Sequence, residues 1–125
     1  MTTQPGRVMV ADDEPHVRQF LHELLSSEGY EVGVFATGAQ LLDAVPTFHP
    51  DVIVVDMMMP GLSGTDVLAA LRRAGLAVPV ILISGHPITE LEGFFAFIKK
   101  PFNLPRVIEA VAAAVDRGRR PGAGV

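Results

Sequence analysis

The sequence predicts a doubly wound α/β domain on a five-stranded parallel sheet, and three observations predict it. Apolar runs alternate with amphipathic stretches in the order βαβαβαβαβα, the pattern of right-handed crossover units with helices on both faces of one sheet. The third run is continuously aliphatic, as strands covered on both faces are. Four of the five runs stop at polar residues: Val8-Met9-Val10-Ala11 at Asp12-Asp13, Val52-Ile53-Val54-Val55 at Asp56, Val80-Ile81-Leu82-Ile83 at Ser84, and Phe95-Ala96-Phe97-Ile98 at Lys99-Lys100.

Each element has a local reason. After the first strand, Val17, Phe20, Leu21, Leu24 and Leu25 make one apolar stripe on a helix that starts near Glu14-Pro15 and ends at Gly29. Val32 and Val34-Phe35 form a short second strand. Thr37 caps a helix carrying Leu41, Leu42 and Val45, which Pro46 is expected to end. Asp51 opens the third strand, and the turn Pro60-Gly61-Leu62-Ser63-Gly64 leads into a helix with Val67, Leu68 and Leu71 that closes near Gly75. Asn103 caps the last helix, with Pro105 in its first turn and Leu104, Val107, Ile108, Val111, Ala112 and Val115 on one side. The expected division is an extension over 1–6, the domain over 7–116, and a flexible basic tail or linker over 117–125. There is no internal repeat.

Composition narrows the function. A chain of 125 residues, 49% of them apolar, is one globular domain. It has no cysteine, which removes disulfides, thiolate metal sites and cysteine nucleophiles. No apolar stretch is long enough to cross a bilayer, since Asp56 interrupts the best one, and Thr2-Thr3-Gln4-Pro5-Gly6 lacks signal-peptide character, so the cytoplasm is the default compartment. A net charge of −4 argues against direct nucleic-acid binding.

Ligands of such sheets bind beyond the carboxyl ends of the strands, where the strand order reverses. With five strands ordered 2-1-3-4-5, that point lies between the first and third, where Asp12, Asp13 and Asp56 end their runs. Two unit charges about 4 Å apart repel by roughly 4 kcal/mol near a protein surface. A hard divalent cation relieves that cost, and Mg²⁺ favours carboxylates plus retained waters. Lys100 adds a positive point charge suited to a phosphate oxygen. An acidic rim that merely turns the chain is the plainer reading; it fits poorly with acidic ends on two strands and a basic end on a third.

Asp12-Asp13-Glu14-Pro15, Asp56-Met57-Met58-Met59-Pro60-Gly61 with Ser63-Gly64, Ser84-Gly85 and Lys100-Pro101-Phe102, in that order, resemble the receiver domain of bacterial two-component response regulators over about residues 7 to 116. The resemblance implies a flavodoxin-like sheet and a signalling phosphoacceptor rather than an enzyme. Asp56 would take a phosphoryl group from a phosphohistidine on a sensor histidine kinase or histidine phosphotransfer protein. Asp13, Asp56 and the backbone carbonyl of Met58 would hold Mg²⁺, with Asp12 reaching it mainly through water. Lys100 would pair with the phosphoryl group, Ser84 would hydrogen-bond to it, and Ser84 with Phe97 would form the switch that signals to a downstream protein not named by the sequence. Gly85, His86 and Pro101 would border the phosphoryl pocket, and the Lys100-Pro101 bond would be cis. On periodicity alone Phe97 also reads as an ordinary core aromatic.

These residue types suit the chemistry, because phosphoryl transfer needs positioning and electrostatic stabilisation more than covalent help. Gly85 leaves room for the phosphoryl group. Met58, two residues past Asp56, is bulky and apolar and is expected to slow loss of the phosphoryl group, with His86 its counterpart past Ser84. The chain departs from the family between Ser84 and Lys100, where it is several residues short. The fourth helix there spans at most Pro87 to Glu92, roughly two turns, too short to stand without packing. The usual dimer face is thereby weakened, which leaves a monomer or weak dimer as the expectation. The segment also resembles, more loosely, receivers of hybrid sensor kinases, which often carry Phe-x-x-Lys-Pro-Phe here.

Rival classes stay on the table. A receiver fold that signals without phosphate is the main alternative. A Mg²⁺-dependent aspartyl phosphohydrolase would want an acid where Met58 stands, and a flavin-binding module would need a phosphate cradle where Asp12-Asp13-Glu14 repels phosphate. His16, His22, His49 and His86 have no metal-ligand spacing and read as surface residues. Glu14 reads as a helix N-terminal charge, and Arg117, Arg119 and Arg120 as a solvated tail.

Overall fold

The computed structural model describes residues 4–87 and 92–119. Strands β1 (Arg7–Ala11), β2 (Glu31–Phe35), β3 (Val52–Asp56), β4 (Val80–Ser84) and β5 (Ala96–Lys99) alternate with helices α1 (Pro15–Ser27), α2 (Gly38–Phe48), α3 (Gly64–Arg73) and α4 (Leu104–Arg119). All strands pair in parallel in the order β2-β1-β3-β4-β5, the flavodoxin-like arrangement expected.

Alternate strand residues face opposite layers, and each layer has its own core. Val8, Val10, Val52, Val54, Ile81 and Ile83 meet Val17, Leu21 and Leu25 of α1 and Val107 and Val111 of α4. Met9, Ala11, Ile53, Val55 and Leu82 meet Leu41 and Val45 of α2 and Val67, Leu68 and Leu71 of α3. β3 and β4 are buried along their whole length, which is why their runs are unbroken.

Side chains start the helices. Thr37 accepts from the Gln40 N–H at α2, and Ser63 and Asp66 form a reciprocal capping box at α3. Asn103 Oδ1 accepts from the Arg106 N–H at 3.1 Å as α4 begins. Gly64 lets α3 begin hard against the end of β3, for a Cβ there would sit 2.8 Å from the Asp56 carbonyl oxygen and 2.6 Å from Leu82.

Four expectations are corrected or fall elsewhere. α2 does not end at Pro46; it runs on to Phe48, because a proline in the last turn forfeits one N–H bond while Val45 stays buried beneath it. The helix stops at His49, whose φ of 56° is left-handed and whose N–H closes on the Val45 carbonyl. The last helix outlasts residue 116: α4 carries Arg117 and Arg119, and Arg119 donates to the carbonyls of Gln4 and Pro5 at 2.7 Å and to Asp51 at 3.0 Å. Its guanidinium thus ties the helix end to the opening of the chain. Phe20 is not a core residue; it is 37% exposed and stacks on Phe102, ring centroids 5.7 Å apart. The shortened fourth helix was expected where residues 88–91 lie outside the described residues; Pro87 before them is not helical, and Glu92 and Gly93 after them form a turn.

Candidate functional site

The parallel register brings the strand ends level. Ala11 pairs with Val55, which sets Asp12 beside Asp56, while Asp56 pairs with Ile83 and Ser84 with Lys99, so Ser84, Gly85 and Lys100 follow one or two residues further along the same carboxyl edge.

Asp12, Asp13 and Asp56 each bring a carboxylate oxygen to within 4.8 Å of the others. Asp12 is fully buried and Asp56 nearly so, whereas Asp13 is exposed. Asp12 Oδ1 accepts from the Glu14 N–H at 2.9 Å, and its Oδ2 accepts from Lys100 Nζ at 3.0 Å. Arg18 reaches back from α1 to the Asp12 carbonyl at 2.8 Å, fixing the loop that presents both aspartates. Burial, then the charge of Asp12, pushes the Asp56 carboxyl up to about 6, with Lys100 opposing and Asp13 adding to the rise.

Lys100 Nζ also lies 3.3 Å from Glu14 and 3.6 Å from Asp56, the last too long for a hydrogen bond. Burial alone would lower the lysine pKa; the hydrogen bond and charge of Asp12, then Asp56 and Glu14, outweigh it and hold the pKa above its usual value. The ammonium is charged. The Lys100-Pro101 peptide is cis, as the resemblance implied.

Ser84, 1% exposed, has its hydroxyl turned to the following loop, donating to the His86 carbonyl at 3.1 Å and accepting the His86 N–H at 3.0 Å. A Cβ on Gly85 would find only Lys100, at 3.9 Å, so the protein's own packing does not demand glycine there. Met58 is 65% exposed at the rim and Phe97 is exposed on β5 rather than in the core, its carbonyl accepting from Arg106. His16, His22, His49 and His86 are exposed.

The donor set fits Mg²⁺. Ligand oxygens around an octahedral Mg²⁺ at about 2.1 Å lie roughly 3 to 4 Å apart, a modest contraction from the spacing here, and a cation would relieve both causes of the raised Asp56 pKa, burial first and then the charges of Asp12 and Asp13.

Three features escaped the sequence. Glu14 was assigned to the helix terminus, yet its side chain makes no cap bond and pairs with Lys100 instead; nothing in the sequence tells of that neighbour, 86 residues away. Arg18 carried no signal. The Phe20–Phe102 stack, beside a cleft of about 490 Å³ lined also by His16, Val17, Lys100 and Pro101, was hidden because Phe20 falls on the apolar stripe.

Comparison with known proteins agrees with this architecture. A model of the response regulator receiver domain matches residues 8–112. The chain is 33% identical over 123 residues to the DNA-binding response regulator MtrA of Mycolicibacterium smegmatis, covering 94% of this chain and 54% of MtrA. It is 34% identical over 116 residues to the C4-dicarboxylate transport transcriptional regulatory protein DctD of Pseudomonas aeruginosa, covering 88% of this chain and 25% of DctD. It therefore spans about half, or less, of the relatives it matches. Among solved structures, the receiver domain of the Francisella response regulator 1452 superposes with a TM-score of 0.84 at 32% identity, covering 91% of this chain and 99% of that one. Sheet order, carboxylate cluster and comparisons lead to one conclusion: the chain belongs to the response regulator receiver domain family of two-component signalling.

Proposed function

We propose that this receiver is a phosphoacceptor: Asp56 takes a phosphoryl group from a phosphohistidine of a sensor histidine kinase or phosphotransfer protein, and the modified domain signals by a change of conformation. The observation that carries the reading is the meeting of three carboxylates and one ammonium at the switch point of the sheet.

A carboxylate oxygen of Asp56 attacks phosphorus in line as the bond to the donor breaks, and the donor leaves with that electron pair. Asp13, Asp56 and the Met58 carbonyl would hold Mg²⁺, with Asp12 acting through water; the ion supplies charge neutralisation for the phosphoryl oxygens. Lys100 then exchanges a carboxylate for a phosphoryl oxygen. Ser84 gives up its hydrogen bonds with His86 to donate to another, and Phe97, exposed on β5, turns inward into the space vacated. Such a switch works only if the phosphoryl group, with about −1.5 to −2 charges, interacts differently with the two states.

The histidine-bearing partner would rest on the apolar ground of Phe20 stacked on Phe102, beside the cleft that reaches Lys100 at one end. A folded unit from residue 7 to 119, flanked by short segments, is the domain division that the Arg119 contacts favour. DNA binding, stated for MtrA by its name, is not assigned to this acidic chain, and its chemistry is limited to gaining and losing its own phosphoryl group.

Incubation with acetyl phosphate tests the reading. A phosphoryl-sized mass gain that needs both Mg²⁺ and Asp56, and is absent from Asp56→Asn, is expected; no gain in the presence of Mg²⁺ would favour a receiver fold that works by binding alone.

A further inference from the structure

Lys100 has three N–H donors, and its two hydrogen bonds go to carboxylates other than Asp56: Asp12 at 3.0 Å and Glu14 at 3.3 Å. We infer that Glu14 is a positioning residue that restrains phosphorylation, drawing the Lys100 ammonium toward the mouth of the cleft and placing a negative charge where phosphoryl oxygens enter. The inference rests on the acceptor reading of Asp56.

Glu14 has two opposed effects available. It steadies the lysine, which favours the reaction, and it competes for the lysine, which hinders it. Steadying is redundant, because the Lys100 N–H is bonded to the Ser84 carbonyl at 2.8 Å and its ammonium to the fully buried Asp12 at 3.0 Å. Glu14, its side chain 49% exposed, adds no anchor these lack. Competition is not redundant. Glu14 draws the ammonium as a whole away from an incoming phosphoryl oxygen, and its carboxylate repels the phosphoryl charge at short range. Both consequences have the same sign, so removing the charge strengthens the hold on a phosphoryl group, by roughly three- to tenfold for charges separated by several ångströms near a surface.

The full chain is titrated with beryllofluoride, a tetrahedral phosphoryl mimic, at excess Mg²⁺, with bound fluoride read by ¹⁹F NMR. Glu14→Gln keeps the length and an acceptor oxygen and loses only the charge; Glu14→Ala removes the carboxylate altogether. Glu23→Gln on the same helix, about 13 Å further along at 1.5 Å per residue, controls for net charge. Both Glu14 variants are expected to bind roughly three- to tenfold more tightly, with the gain shrinking as salt is added, and Glu23→Gln to match the parent. Unchanged or weaker binding by Glu14→Gln and Glu14→Ala, or an equal gain in Glu23→Gln, overturns the inference and leaves the acceptor reading standing. Failure of the parent chain to bind beryllofluoride removes both.

Discussion

The ammonium of Lys100 lies 3.0 Å from Asp12 and 3.6 Å from Asp56, so it is hydrogen-bonded to Asp12 and not to Asp56. That preference leaves Asp56 less compensated than Asp12, the other buried carboxylate of the cluster.

Replacing Lys100 by methionine strands the buried Asp12 carboxylate. Breaking a buried ion pair costs about 3–5 kcal/mol, and the lysine's 19% side-chain exposure places this one at or just below the lower end, ~2–3 kcal/mol. Urea unfolding without Mg²⁺ is expected to show that loss, and added Mg²⁺ to restore part of it.

Asp56→Asn is expected to stabilise the metal-free protein at neutral pH. The carboxyl is raised from its usual 3.8 to about 6 in the fold, so the unfolded chain releases its proton first as pH rises. Stability is full below 3.8 and falls through about 6, by ~3 kcal/mol at most. Asparagine escapes that loss. Thermal unfolding should show the variant ahead above pH 6, with the gap closing toward pH 4 and also closing when Mg²⁺ is added.

In the proposed mechanism Met58, 65% exposed, would shield the phosphoryl group from water. Met58→Asn should shed its phosphoryl group several-fold faster in a mass time course; a slower loss than in the parent would contradict this role.

Phe20→Ala is expected to separate docking from chemistry. Transfer from a phosphorylated histidine protein should fall at least tenfold, about 1.4 kcal/mol of lost contact, while phosphorylation by acetyl phosphate stays near the parent rate.

The sheet and the meeting of Asp12, Asp13, Asp56 and Lys100 were legible because they follow local rules. An aliphatic run that ends in aspartate, serine or lysine marks a strand and the edge where those polar groups gather, and Thr37, Asn103 and Gly29 punctuate helices by their own chemistry. What stayed hidden depends on tertiary distance. Glu14 looks like a helix-terminus acid until β5 sets Lys100 beside it. Phe20 obeys the helical period yet lies at the stripe's edge, where α1 meets the loop carrying Phe102. Pro46 reads as a breaker because propensity takes no account of the buried Val45 before it. Arg119 reads as tail because its partners, Gln4, Pro5 and Asp51, are remote in sequence, and Arg117 because the Phe95 ring beneath it lies outside its own helix.

The most direct measurement is to phosphorylate the chain with acetyl phosphate and Mg²⁺, reduce the acyl phosphate with borohydride, and locate the resulting homoserine by peptide mass spectrometry. The account predicts conversion at Asp56 alone. Conversion at Asp12 or Asp13, or none under conditions where Mg²⁺ binds, would contradict it.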